Sequence, residues 1–187
     1  MIRTVLLVFV FSLLIGFEVE RTADMRAGKA KATACASCHG EDGISSDPAI
    51  PNLAGQRSPY FINTLQEFKK GTRRNPVMNA IAAELNRSDI ENLAAYYSNL
   101  PPMTSKGDAA FIAKGKVSYF FCQECHGSLG AGNEANPRLA GQHADYQLAQ
   151  LMAYKKGTRK SPIMSGIAAA LTEKDMKGLA EYLATLK

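Results

Sequence analysis

Cys35-Ala-Ser-Cys38-His39-Gly40 and Cys122-Gln-Glu-Cys125-His126-Gly127 decide how this chain is read. Together they use all four cysteines and two of the three histidines. In Cys-x-x-Cys-His the two thiols are spaced to add to the vinyl groups of a haem, and the adjoining histidine then lies under the ring to ligate iron. Structural zinc wants four protein donors, and no third Cys or second His follows Cys35 before Cys122. A thioredoxin-like thiol pair belongs beside a βαβ pattern, whereas the flanks Ala30–Ala36 and Lys114–Phe121 read as helix. Covalent haem, one per motif, is the favoured reading; zinc and thiol redox chemistry are the alternatives.

An internal repeat sets the architecture. Gly28-Lys29 matches Gly115-Lys116 at an offset of 87, and past the motifs the offset becomes 86. Pro51-Asn-Leu53-Ala54-Gly55-Gln56 then matches Pro137-Arg-Leu139-Ala140-Gly141-Gln142, and Tyr60 matches Tyr146. Phe68-Lys-Lys-Gly-Thr-Arg-Arg-Asn-Pro-Val-Met78 matches Tyr154-Lys-Lys-Gly-Thr-Arg-Lys-Ser-Pro-Ile-Met164. Ile81-Ala-Ala-Glu-Leu85 and Leu93-Ala-Ala-Tyr96 find Ile167-Ala-Ala-Ala-Leu171 and Leu179-Ala-Glu-Tyr182. The chain is a tandem duplication, divided into domains at 21–104 and 105–187.

The repeat also sorts the seven methionines. Most methionines are adaptable core filler. Met25 corresponds to Ile112, Met176 to Ile90 and Met152 to Gln66, so those slots do not demand a thioether, and Met103 lies between the domains. Met78 and Met164 share one slot, two residues after a proline. They are the candidate sixth iron ligands, opposite His39 and His126.

On these residues the chain resembles the periplasmic dihaem cytochromes c of the type numbered four, built from two class I cytochrome c domains. The match runs from about Arg26 to Lys187. The resemblance implies an electron shuttle to a terminal oxidase of the haem-copper kind, with two haem c groups bound through Cys35, Cys38, Cys122 and Cys125 and both irons held by His and Met. It also implies that His39 and His126 each donate a ring N–H to the backbone carbonyl of Pro51 or Pro137. The cytochrome subunit of flavoprotein sulfide dehydrogenases is similar and gives the alternative function. A third possibility, a dihaem peroxidase, needs an open iron position, which two matched methionines argue against. The expectation is therefore not an enzyme.

Arg3 followed by the apolar or small run Thr4–Phe17 reads as an export signal. The run is shorter than the ~20 residues needed to span a bilayer. Glu18, Glu20 and Arg21 stand where a cleavage site wants small residues, so residues 1–20 are a signal peptide or an N-terminal membrane tether, with the folded part in the periplasm. The formal charge is +5, or +6 without residues 1–20 (one Arg, two Glu), and four haem propionates would lower the latter to about +2 in the reduced protein. Basic residues are interspersed with acidic ones and no aromatic platform accompanies them, which speaks against nucleic-acid binding. The runs Lys69–Arg74 and Lys155–Lys160 read as solvated helix ends closed by Gly71 and Gly157, with steering of an acidic redox partner or bonding of a haem propionate as the alternative.

The expected fold is all-α. Helices are predicted over Asp24–Cys35 and Asp108–Cys122, then Pro59–Lys70 and Asp145–Lys156. Asn86-x-x-Asp89 and Thr172-x-x-Asp175 read as capping boxes opening the last helix of each domain. The resemblance to class I cytochromes c implies that first and last helices cross closely, and Gly28 and Gly115, facing Tyr96 and Tyr182, are the candidates that permit it. Pro101–Gly107 is the linker. Gly130-Ala-Gly132 mimics a dinucleotide fingerprint without the strand it needs, and His143, aligned with Arg57, reads as a surface residue. A unit of about 80 residues buries only about 60% of its unfolded surface, so haem is expected to complete each core. Circular dichroism of a chain with all four cysteines changed to serine should show most of the helix signal lost; native-like helix content would contradict this.

Overall fold

The computed structural model describes residues 23–187, and the segment Met1–Glu20 lies outside the described residues. All regular elements described are helical. In the first domain they are α1 (Met25–Ala32), α2 (Ala36–His39), α3 (Ser58–Lys69), α4 (Pro76–Ala83) and α5 (Arg87–Asn99). The second repeats the order with α6 (Ala109–Ser118), α7 (Gln123–His126), α8 (Ala144–Lys155), α9 (Pro162–Ala170) and α10 (Glu173–Thr185), adding a 3-10 turn at Tyr119–Cys122.

Local chemistry explains the helix ends. Asp24 caps α1 by accepting from the Arg26 and Ala27 amides, and Asp108 caps α6 through Ala110. Both capping boxes form, Asn86 with Asp89 and Thr172 with Asp175. Gly71 (φ +70) and Gly157 (φ +69) end α3 and α8 in the left-handed region that glycine tolerates. The helices expected to run to Cys35 and Cys122 stop early: α1 ends at Ala32, and Thr33 Oγ1 donates to Ala30 O at 2.9 Å in the terminal turn. The chain then restarts as a single turn ending in His39, which is buried while Ser37 and Cys38 stay exposed.

First and last helices pack together in each domain, α1 on α5 and α6 on α10, and α3 or α8 lies against the last helix. The crossing is as close as the glycines suggested. A Cβ on Gly28 would sit 2.8 Å from Tyr96 Cβ and collide with the Asn92 carbonyl; one on Gly115 would sit 2.7 Å from Tyr182 Cβ and collide with the Gly178 carbonyl. The two cores differ by an exchange of bulk. The first pairs Ala32 on α1 with Tyr97 on α5; the second pairs Tyr119 with Leu183 in the corresponding positions, and all four are buried.

The domains join through a pseudo-twofold seam. Gln142 Oε1 accepts from Asn52 N (2.8 Å) and its Nε2 donates to Asn52 O (2.9 Å). Gln56 repeats the pattern on Arg138, accepting from its N (2.8 Å) and donating to its O (3.1 Å). Arg73 Nη2 donates to Tyr146 OH (2.8 Å), and Arg159 Nη2 to Tyr60 OH (3.0 Å). Two readings of the sequence are corrected here. His143 is not a free surface residue: its Nε2 lies 2.9 Å from Ser45 O of the other domain. Arg73 is not a solvated helix end but only 8% exposed, because it turns from its loop into the seam. The linker is pinned as well, with Ser105 N donating to Ala184 O at 2.8 Å.

Gly115→Val should destabilise the holoprotein by about 2 kcal/mol or more, since backbone on α10 must move to admit it. Gly166→Ala, where no atom lies within 4 Å of the added carbon and the first domain already has Ala80, should be neutral or stabilising by up to ~1 kcal/mol. Thermal unfolding measures both.

Candidate haem sites

Each site begins at a short helix that ends in histidine. His39 and His126 close α2 and α7, and the following Gly40 and Gly127 (both φ +79) turn the chain away at once. The His39 Nδ1 lies 2.8 Å from Pro51 O and the His126 Nδ1 3.1 Å from Pro137 O, the acceptors expected from the family resemblance. Burial lowers both imidazole pKa values, with the carbonyl bond acting in the opposite direction. A neutral ring donating from Nδ1 keeps a lone pair on Nε2, the state a metal requires.

The proline carbonyls are themselves held. Gly43 O accepts from Leu53 N (2.7 Å) and Ala54 N (3.1 Å), and Gly130 O accepts from Leu139 N (2.7 Å) and Ala140 N (3.0 Å). Gly55 N and Gly141 N then donate to the Tyr97 and Leu183 carbonyls (2.8 and 3.0 Å), tying each Pro-x-Leu-Ala-Gly-Gln loop to the last helix. The apparent dinucleotide fingerprint at Gly130–Gly132 is this loop anchor. Gly132 N also donates to His126 O at 2.8 Å.

The methionines arrive on helices that the sequence reading missed. Met78 and Met164 lie in the first turns of α4 and α9, where their amides donate to Asn75 Oδ1 (3.0 Å) and Ser161 Oγ (3.3 Å). An Asn-Pro or Ser-Pro pair, an N-cap followed by proline at the first helical position, was the available signal. Met78 packs on the same buried cluster as Cys35 and Leu53. Met164 holds the equivalent place on its helix but is not part of the smaller second cluster.

The residues present fit a haem. The first cysteine of each motif is half-buried and the second exposed, and burial raises the Cys35 and Cys122 thiols. Among the described residues no three His, Cys, Asp or Glu side chains converge as a metal cluster, so the thiols have none of the extra donors zinc would take. Beside the methionines, large apolar side chains are bare at matching positions in both domains: Val77 (63%) and Ile81 (38%), Ile163 (69%) and Ile167 (38%). Bare apolar surface repeated beside the methionine of both domains suits contact with a flat apolar ring.

Comparison with known proteins agrees. The family described as Cytochrome c matches residues 25–101 and 112–187. The cytochrome c4 of Azotobacter vinelandii is 34% identical over 184 residues, covering 86% of this chain and 88% of that protein. A thiosulfate dehydrogenase electron acceptor of Stutzerimonas stutzeri (strain A1501) is 36% identical over 172 residues, covering 83% and 80%. The crystal structure of reduced recombinant cytochrome c4 from Pseudomonas stutzeri superposes with a TM-score of 0.84 at 33% identity, covering 88% of this chain and all of that one. The chain carries two covalent haem c groups, one per domain. It is a dihaem electron-transfer protein and belongs to the cytochrome c4 family.

Proposed function

We propose that this protein carries single electrons in the periplasm from respiratory donors to a haem-copper terminal oxidase. In this reading His39 and Met78 ligate one iron, His126 and Met164 the other, and the domains divide between 104 and 105. Each haem c supplies a one-electron ferric–ferrous couple when bound. The observation that carries the ligand assignment is its recurrence: in both domains a buried histidine bonds a proline carbonyl, and a methionine occupies the first turn of an Asn-Pro or Ser-Pro helix.

Bonding at Nδ1 fixes the tautomer and the ring plane, so Nε2 is the nitrogen offered to the metal. Met78 and Met164 offer soft, uncharged sulfur, which favours the reduced ion over what a second imidazole would give. Val77, Ile81, Ile163 and Ile167 are bare apolar side chains that a haem edge would cover. With side chains on both faces a substrate has no open position, which supports a carrier rather than an enzyme. A second reading, a dedicated electron-accepting partner of a dehydrogenase, is supported by the relative named as a thiosulfate dehydrogenase electron acceptor. The export reading rests on the run Thr4–Phe17.

Replacing Met78 by His should lower the midpoint potential of one haem and abolish its near-infrared sulfur-to-iron band. Replacing Met152 by Leu should change neither. Equal shifts in a redox titration of the two variants would remove the assignment. Wild type that shows the band when oxidised should also not bind carbon monoxide once reduced.

A further inference from the structure

We propose that the second domain pairs with a second copy of this chain about a twofold axis at Phe120 and Phe121. Val117, Phe120 and Phe121 are exposed by 76%, 70% and 83%, and the two rings meet edge to face at 5.6 Å. With Lys116 and Gln123 they line an open hollow. A single exposed apolar residue needs no explanation, but a contiguous aromatic patch marks an interaction site. The haem is not what covers it. Tyr119 and Cys122, three apart on one 3-10 turn, share the inner face of that turn: Tyr119 is buried and Cys122 packs on the same cluster. Phe120 and Phe121 take the other two faces.

The patch belongs to one domain alone. At the repeat offset of 87, Val117, Phe120, Phe121 and Glu124 correspond to Ala30, Thr33, Ala34 and Ser37. The first domain thus offers small or polar residues where the second offers bulk and an acid. A contact built from one such patch per chain is isologous and closes at a dimer, whereas a patch on both domains would link copies into chains.

Charge selects the occupant. Lys116 and Glu124 are both exposed and stand four residues before and four after Phe120. A twofold axis through Phe120 sets each lysine against the glutamate of the other copy. Among the described residues neither belongs to an ion pair, while Lys114 is already held by Asp175 at 2.8 Å. The patch therefore presents one unpaired charge of each sign. An acidic protein or an anionic bilayer would gain at Lys116 and lose at Glu124; a second copy satisfies both. The projecting Phe121 of one chain supplies the apolar matter that fills the hollow of the other. Three apolar side chains and two exposed ion pairs make a small contact, so the pairing is reversible.

The test is sedimentation velocity of purified, haem-loaded protein from micromolar to millimolar concentration. Wild type should pass from monomer to dimer and form nothing larger. Phe120→Ser combined with Phe121→Ser should raise the dissociation constant about tenfold or more, with an unchanged haem absorbance spectrum showing that the fold is kept. Lys116→Glu and Glu124→Lys should each weaken pairing, since each sets like charges face to face, and the double exchange should restore it. Should the phenylalanine variant lose haem, the charge variants decide alone. Monomer at every concentration would overturn the proposal. So would a dimer that the phenylalanine variant leaves intact, a double exchange that pairs no better than the single ones, or growth beyond dimers. Vesicles of anionic phospholipid should not bind the wild type; binding that the phenylalanine variant abolishes would give the patch to a bilayer instead and sink the pairing. None of these readouts depends on which side chains ligate iron, so this inference and the methionine assignment fail separately.

Discussion

A domain of some eighty residues buries so small a share of its surface that its core is marginal, and a flat apolar prosthetic group adds what the side chains lack. Each half of this chain accordingly surrounds a prosthetic group rather than packing to completion. The motif histidine closes a single helical turn, the proposed methionine ligand sits in the first turn of a proline-capped helix, and apolar side chains beside the methionine are left bare. The crossing of first and last helices is the frame that holds these pieces. It can be tight only because Gly28 and Gly115 carry no side chain, so a glycine eleven residues before each motif histidine sets the frame on which that site is built.

The hydrogen bonds that matter for redox chemistry form a relay from frame to site. The last helix receives an amide from the Pro-x-Leu-Ala-Gly-Gln loop, a glycine carbonyl pins that loop at two further amides, and the loop's proline carbonyl orients the imidazole. Each link recurs in the second domain with distances within a few tenths of an ångström. The single-residue change in repeat offset falls between Gly43 and Pro51 and leaves the relay untouched, because it alters only the length of the intervening loop.

Much of this was legible in the sequence, for physical reasons that can be named. Motif spacing specifies covalent attachment, the repeat isolates Met78 and Met164, and capping chemistry marks both last helices. What escaped was of two kinds. Helices α4 and α9 are short, eight and nine residues, and apolar over most of their length, so too little polar face stands against the apolar one for a helical period to declare itself. The seam escaped because contacts such as Gln142 with Asn52, or Arg159 with Tyr60, join residues about ninety or more apart. Nothing local in Lys-Lys-Gly-Thr-Arg distinguishes an arginine turned toward a sister domain from one turned to water. For the same reason His143 looked like surface until its partner Ser45 was in place.

The transposed bulk at Ala32–Tyr97 and Tyr119–Leu183 makes the two lobes poor templates for one another. Copying Tyr119 into the first lobe alone would crowd two phenols into one interior; copying Ala32 into the second alone would leave a hole. Recombination between the two halves of such a gene would therefore tend to yield unstable products, and divergence, once begun in paired steps, resists erasure. The interiors of two lobes that arose as copies are in this way kept different.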